Sequence, residues 1–338
     1  MLRWPILLPV VVVALSLALL NSGCRLLQTQ AVHPSSAART FVGIHGRLSV
    51  QGNRVVDQAG KSVTLHGMSL YCWNAQGKQY FNTNAIHHLA QDWKCTVIRI
   101  AILPRDYQRD PTNEIARVRT IIDACIANGI YAVVDWHSMA GAQNNLASAT
   151  NFFGTLAAAY HGQPNVMYEP WNEPVQEPWT VIKAYHEAVI TRIRAVDPAA
   201  LIICGSRNWD QQCEEASRNP ITISTNIAYS IHFYAATHRQ SLRDNGSGAM
   251  NNGIALFCTE YGTSSASGGG AYDPTETHLW WDWLETNGIS CCNWSMAALG
   301  ETSAALQPGA SPTGPWTDDQ LKPSGKLVRD YIISQYHL

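Results

Sequence analysis

Eight short apolar runs recur along this chain, spaced so that one helix fits between each pair. That rhythm limits the possible folds more than any other feature. The runs are Val63–Leu70, Thr96–Ile102, Ile130–Trp136, Asn165–Tyr168, Leu201–Gly205, Ile227–Tyr234, Ile254–Thr259 and Ile289–Met296, starting roughly 25–35 residues apart. Each is near-continuously apolar rather than alternating, as expected of strands covered on both faces. A crossover between parallel strands needs a dozen or more residues, and every gap supplies them.

The intervening segments carry helical signals. Ile115, Val118, Ile122 and Cys125 step by three and four, as do Ile182, Tyr185, Val189 and Ile193. Asp273-Pro274-Thr275-Glu276 supplies an N-cap, a proline at the first helical position and an acid at the third. Asn128-Gly129 and Asn287-Gly288 read as helix stops, each followed at once by the isoleucine that opens a strand. Pro323 to Leu338 reads as a closing helix. Before the first run, Arg47 to Asp57 reads as a hairpin turning at Gln51-Gly52-Asn53. Eight strands alternating with helices predict an α/β fold, a (β/α)8 TIM barrel preceded by a short β-hairpin. A doubly wound open sheet would want a Gly-rich phosphate loop after the first strand. Met68-Ser69-Leu70-Tyr71 is not one.

The N-terminus reads as a processing signal. Arg3 precedes the apolar run Ile6 to Leu20, and Asn21-Ser22-Gly23 follows, the pattern of a secretory signal peptide. Residues 1–24 are therefore expected to be a leader, 25–42 a tether, and 43–338 the barrel. The expected location is outside the cell, the alternative being a lipid anchor to the envelope through Cys24. Of nine cysteines, eight remain after the leader, an even number that permits disulfides without specifying them.

Charge excludes some partners. Lys and Arg total 23 against 25 Asp and Glu, and only 14% of residues are charged. So few cations make nucleic acid an unsuitable partner, because its affinity is built on phosphate neutralisation. The 12 Trp and 13 Tyr against 6 Phe favour a cleft that grips an amphipathic ligand such as a sugar.

In a barrel of this kind chemistry sits at the carboxyl ends of the strands. Those ends present Arg99, His137, Asn172 with Glu173, His232 with Tyr234, Glu260 with Tyr261, and Trp294. Any one of them has a structural explanation, but six strands delivering such groups to one face define a site. Glu173 and Glu260 are expected to face each other across the mouth. Breaking a glycosidic bond needs such a pair: one protonates the leaving oxygen and the other attacks or activates water. Arg99 and Tyr234 would keep Glu260 ionised, and the charge of Glu260 would push Glu173 towards its protonated form.

The segment Asn165-Val166-Met167-Tyr168-Glu169-Pro170-Trp171-Asn172-Glu173-Pro174 resembles the signature of glycoside hydrolase family 5, and Thr259-Glu260-Tyr261-Gly262-Thr263 resembles its nucleophile segment. Ile98-Arg99, Asp135-Trp136-His137, His232-Phe233-Tyr234 and Asn293-Trp294-Ser295 extend the match, which is similar to the bacterial cellulase subgroup over roughly residues 46–336. The resemblance implies retaining endo-hydrolysis of β-1,4-glucan, with Glu260 as nucleophile and Glu173 as acid/base. It implies that Asn172 bonds the 2-hydroxyl, that Arg99 and Tyr234 hold Glu260, and that His137 and His232 line the glycone side. Trp294 would floor the cleavage point. No metal or cofactor is expected, and the protein is expected to act as a monomer on a β-glucan.

The chain departs from the subgroup after Trp294, where an Asp-Lys pair is usual. Ala298 and Leu299 stand there, with Glu301 retained. The subgroup's His after Gly-Met-Ser is also missing, and Trp73 offers a stacking platform nearby. Gly262-Thr263-Ser264-Ser265-Ala266 nearly spells an esterase elbow, but Ala266 and Gly268-Gly269-Gly270 replace the final glycine and the helix it needs. The remaining rivals are the same chemistry on mannan, xylan or xyloglucan, and a non-catalytic carbohydrate-binding scaffold.

Overall fold

The computed structural model describes residues 40–338. The leader, Cys24 and most of the expected tether lie outside the described residues. Eight parallel strands close into a barrel: β3 (His66–Leu70), β4 (Val97–Ile102), β5 (Tyr131–Trp136), β6 (Val166–Glu169), β7 (Leu201–Cys204), β8 (Ile227–Tyr234), β9 (Ala255–Gly262) and β10 (Cys291–Met296), with β10 pairing β3. Each lies in or across one of the eight predicted runs, so the TIM barrel expected from the spacing is the fold observed. The open-sheet alternative is excluded by closure.

Strand periodicity explains how one sequence fills two cores. Successive side chains point to opposite faces. In β4, Ile98, Ile100 and Ile102 join the outer core beneath the helices, whereas Val97 joins the cluster inside the barrel. In β5, Ala132, Val134 and Trp136 face outward, and Tyr131 and Val133 face inward. The predicted helices form the outer ring. Trp179–Arg194 buries Ile182, Tyr185, Val189 and Ile193, and Pro111–Asn128 buries Val118, Ile122 and Cys125. Asp273 caps Pro274–Asn287 by accepting from the Glu276 N–H, and Pro323–Ser334 closes the ring. Gly129 ends its helix at φ 64°, where a Cβ would also sit 2.2 Å from that of Thr40.

The hairpin has a structural task. Strands β1 (Ser49–Gln51) and β2 (Arg54–Val56) pair Val50 with Val55 around a Gly52-Asn53 turn. Leu48 and Val55 pack with Val63, Leu65, Met167 and Phe257 in the inner cluster, sealing the lower end of the barrel. A helix at Phe41–His45, capped by Thr40, begins inside the segment expected to be tether, and Phe41 and Val42 join the same seal. The eight cysteines among the described residues are all free and all buried.

Candidate active site

The inward positions change character from bottom to top. Val97, Val133 and Met167 are followed two residues on by Arg99, Asp135 and Glu169, all without measurable exposure. The alternation that sends Val133 into the apolar seal therefore sends Asp135 into a charged layer above it. Arg99 is the hub of that layer. Its Nε donates to Glu169 Oε2 at 2.7 Å, its Nη2 lies 2.9 Å from Asp135 Oδ2, and its Nη1 donates to Glu260 Oε2 at 2.9 Å and Ser69 Oγ at 3.2 Å. Its Nη2 also donates to Asn172 Oδ1. A planar guanidinium with five donors can serve this many acceptors at once, and buried carboxylates require such partners.

Glu260 lies within β9, and both of its oxygens accept hydrogen bonds: Oε2 from Arg99 and Oε1 from the Tyr234 hydroxyl at 2.7 Å. Burial, with the charges of Glu260 and Glu173, holds the Tyr234 phenol well above its usual range, so it remains a donor. Glu173 has a different environment. Its Oε1 meets His232 Nδ1 at 2.9 Å, and burial raises its pKa against the opposing influence of His137 and Arg99. The expected cause was the charge of Glu260; burial is the larger one. The His232 imidazole is itself pushed down to about 4 by burial, so it is neutral at pH 7. Its Nε2 lies 2.8 Å from Thr259 Oγ1, and Thr259 donates to Glu169 Oε1 at 2.7 Å.

One oxygen each of Glu173 and Glu260 and a nitrogen of His232 lie within 4.8 Å of one another. This donor set is of a type that holds a cation, but Arg99 and Tyr234 already occupy Glu260. A second such grouping, Glu169, Asp210 and His232, lies fully buried below.

Above the pair opens a cleft of about 830 Å³ whose walls include Glu173, Glu260, His137, His232, Tyr234, Trp294, Trp73 and Glu301. Trp294 stacks on His137 with centroids 4.9 Å apart and planes 1° from parallel, and Trp73 meets the same imidazole edge-on. His137 Nδ1 is tied to Asp135 Oδ2 at 2.8 Å. Arg99, expected to hold Glu260, and Asn172, expected to bond the 2-hydroxyl, do not line the walls. Arg99 has no exposure and Asn172 1%, so both sit beneath the floor, with Arg99 bound to Glu260. Leu299 is also off the walls, and Ala298 is buried in a bridge to Leu306. The near-elbow at Ser264 leads into a loop, not a helix.

Sequence reasoning missed Asp135, Glu169 and Trp209 as parts of the site. The first two were findable, since each follows an inward apolar residue by two. Trp209, 39% exposed on the cleft wall, sits after β7, opposite Trp73 after β3, so the cleft runs between two indole platforms.

Comparison with known proteins agrees with this architecture. The model of the family Cellulase (glycosyl hydrolase family 5) matches residues 56–300. Endoglucanase Z of Dickeya dadantii is 41% identical over 295 residues, 85% of this chain and 66% of that protein. Endoglucanase N of Pectobacterium atrosepticum is 38% identical over 304 residues, 88% of this chain and 68% of that protein. The chain thus spans about two thirds of the length of these curated relatives. A solved structure from Cytophaga hutchinsonii superposes with a TM-score of 0.85 at 46% identity, covering 88% of this chain and 97% of that one. The catalytic domain of Thermobifida fusca endoglucanase Cel5A gives 0.82 at 32% identity, covering 86% and 99%, and the same domain has been solved with cellotetraose. With the family model matching residues 56–300 and curated relatives 38–41% identical over at least 85% of the chain, this chain belongs to the cellulase family, glycosyl hydrolase family 5.

Proposed function

We propose that the protein is a retaining endo-β-1,4-glucanase that works by double displacement. The observation carrying this reading is the facing pair of carboxylates in opposite surroundings: Glu260 with a donor on each oxygen, Glu173 with its proton favoured by burial. Glu260 attacks the anomeric carbon while Glu173 protonates the departing oxygen. Water, deprotonated by Glu173, then releases the sugar from Glu260. Trp294, stacked on His137, provides a flat face for the pyranose at the cut, and Trp73 and Trp209 support the chain on either side. Both ends of the cleft carry platforms, which suits internal cleavage of a polymer.

A 2-deoxy-2-fluoro cellobioside with a good leaving group traps the intermediate, and mass spectrometry then finds the label on Glu260. NMR of the first product shows the β-anomer; an α-anomer at early times overturns the retaining assignment. Assay of one preparation on β-glucan, mannan, xylan and xyloglucan gives the highest kcat/KM on β-glucan, and the absence of any reducing ends would restore the non-catalytic scaffold. We further propose export with loss of the leader, on the apolar run before Cys24. Mass spectrometry of protein from its host tests this and reads any lipid on Cys24. Action as a monomer is read by light scattering.

A further inference from the structure

Beneath Trp209 lies an acid that the catalytic scheme does not use. Asn208, Trp209 and Asp210 occupy the left-handed region in succession, with φ of 60°, 55° and 59°. Non-glycine residues are disfavoured there, so neighbouring structure must hold the turn. The Asn208 N–H donates to Val175 O at 3.0 Å and the Trp209 N–H to Pro174 O at 2.9 Å, which fastens the turn to the two residues after Glu173. The Ser206 N–H donates to Asp210 Oδ1 at 2.6 Å. Asp210 has no exposure, and its Oδ2 makes no hydrogen bond yet lies 3.5 Å from His232 Nε2. The other nitrogen of that imidazole is the one facing Glu173.

The proton on this ring can be placed from its neighbours. Glu169 accepts from Arg99 and from Thr259, and with the Thr259 proton on Glu169 the Ser230 hydroxyl is the donor of the 2.5 Å Ser230 Oγ–Thr259 Oγ1 pair. The Thr259 oxygen therefore faces Nε2 as an acceptor, and so does Asp210 Oδ2. Nε2 carries the hydrogen, and Nδ1 presents a lone pair to Glu173. A lone pair there accepts from protonated Glu173 and repels its carboxylate, so it raises the proton affinity of the acid/base.

We propose that Asp210 is a positioning residue for the acid/base. Acting through His232, it holds the imidazole in the tautomer protonated at Nε2 and so keeps Glu173 a proton donor. The proposal rests on Glu173 being the acid/base. The titratable groups facing Asp210 are Glu169, Glu173 and His232, with the thiols Cys204, Cys213 and Cys258 around it. Around His232, beyond Glu173 and Asp210, stand Glu169, Glu260, Arg99 and His137. Burial and the charges of Glu169 and Glu173 oppose ionisation of Asp210, and the Ser206 N–H that donates to its Oδ1 works against them.

The test is Asp210→Asn, whose amide can donate to Nε2 and drive the ring proton to Nδ1, where it would donate to Glu173. The basic limb of the kcat/KM profile on cellohexaose should move to lower pH by about one unit, a tenfold drop in proton affinity. Rates on a dinitrophenyl cellobioside, whose leaving group needs no proton, should change much less when glycosylation is read by the pre-steady-state burst. Asp210→Ala should give a smaller shift in the same direction. In wild type, ¹⁵N shifts of His232 should show Nε2–H. An unmoved basic limb in the folded variants overturns the proposal, and so does an Nδ1–H tautomer in wild type, a measurement that needs no variant to fold. Loss of the acid/base reading itself would appear separately, as activity surviving in Glu173→Gln.

Discussion

The lower and upper halves of the barrel lumen are built by the same strands, two residues apart, and hold opposite contents. Below, Val97, Val133, Met167, Ile203 and Phe257 meet Leu48 and Val55 of the hairpin in a dry apolar plug. Above, Arg99, Asp135, Glu169, His232 and Thr259 are equally hidden from solvent but bound to one another by hydrogen bonds and ion pairs. Burial alone therefore does not mark a core. Each fully buried apolar side chain contributes roughly 1.5–3 kcal/mol to folding, whereas a buried ion network commonly gives little net stability. The plug holds the barrel closed, and the layer above it holds two carboxylates in place.

This division makes measurable demands. Its largest consequence is at the proposed nucleophile: Glu260→Gln should lower kcat on the order of 10⁴–10⁶-fold while leaving the urea midpoint at or above that of wild type. A Glu260 variant that unfolded instead would erase the distinction. Phe257→Ala should do the reverse, costing about 3–5 kcal/mol of stability in urea unfolding and leaving kcat per folded molecule nearly unchanged at 25 °C.

A third prediction concerns Leu299, which lies off the cleft walls. Leu299 stands where the cellulase subgroup has a lysine, and a hydrogen bond from a charged donor is worth roughly 1.5–3 kcal/mol. Leu299→Lys should improve kcat/KM on cellotetraose more than on long polymer. Equal or harmful effects on both would mean that other residues have rebuilt the subsite.

The smallest effect separates the halves by pH. Burial raises the Asp135 carboxyl to about 8, so it contributes stability below its unfolded value of 3.8 that is lost as pH rises through 8. His137 and His232 are lowered to about 4, so their contribution is present above 6.5 and lost as pH falls through 4. Between pH 6.5 and 8 the histidines add no further change, and the raised carboxyl of Asp210 acts in the same direction as Asp135. The share of Asp135 in the fall should be roughly 1–2 kcal/mol. Asp135→Asn should flatten that slope, and Val133→Ala, in the plug, should lower the curve without changing its shape.

What was legible in the sequence follows from where the information lies. Strands, caps and the motif around each of the two carboxylates are local: Asn287-Gly288 stops a helix by its own conformation, and Asn172-Glu173-Pro174 is a contiguous motif. The partners of Arg99 are not local. Glu169 lies 70 residues away and Glu260 161, so no window of sequence contains that layer. The left-handed turn at Asn208–Asp210 lacks the glycine that would announce it, and its support comes from the backbone of Pro174 and Val175. Burial of Glu173 is likewise a property of the assembled mouth.

The eight buried thiols bear on how this protein is made and lost. Since none is cross-linked, the fold does not depend on an oxidant, and a reducing cytosol and an oxidising exterior should yield the same barrel. Unfolding is another matter. Cys258, Cys291 and Cys292 come from neighbouring strands, and all eight thiols are released together when the barrel opens. In air, an unfolded chain can then lock itself into wrong pairings faster than it refolds. Heat inactivation should accordingly be reversible with a reductant present and irreversible without one, so that the chain's working life is set by thiol chemistry rather than by the free energy of its fold.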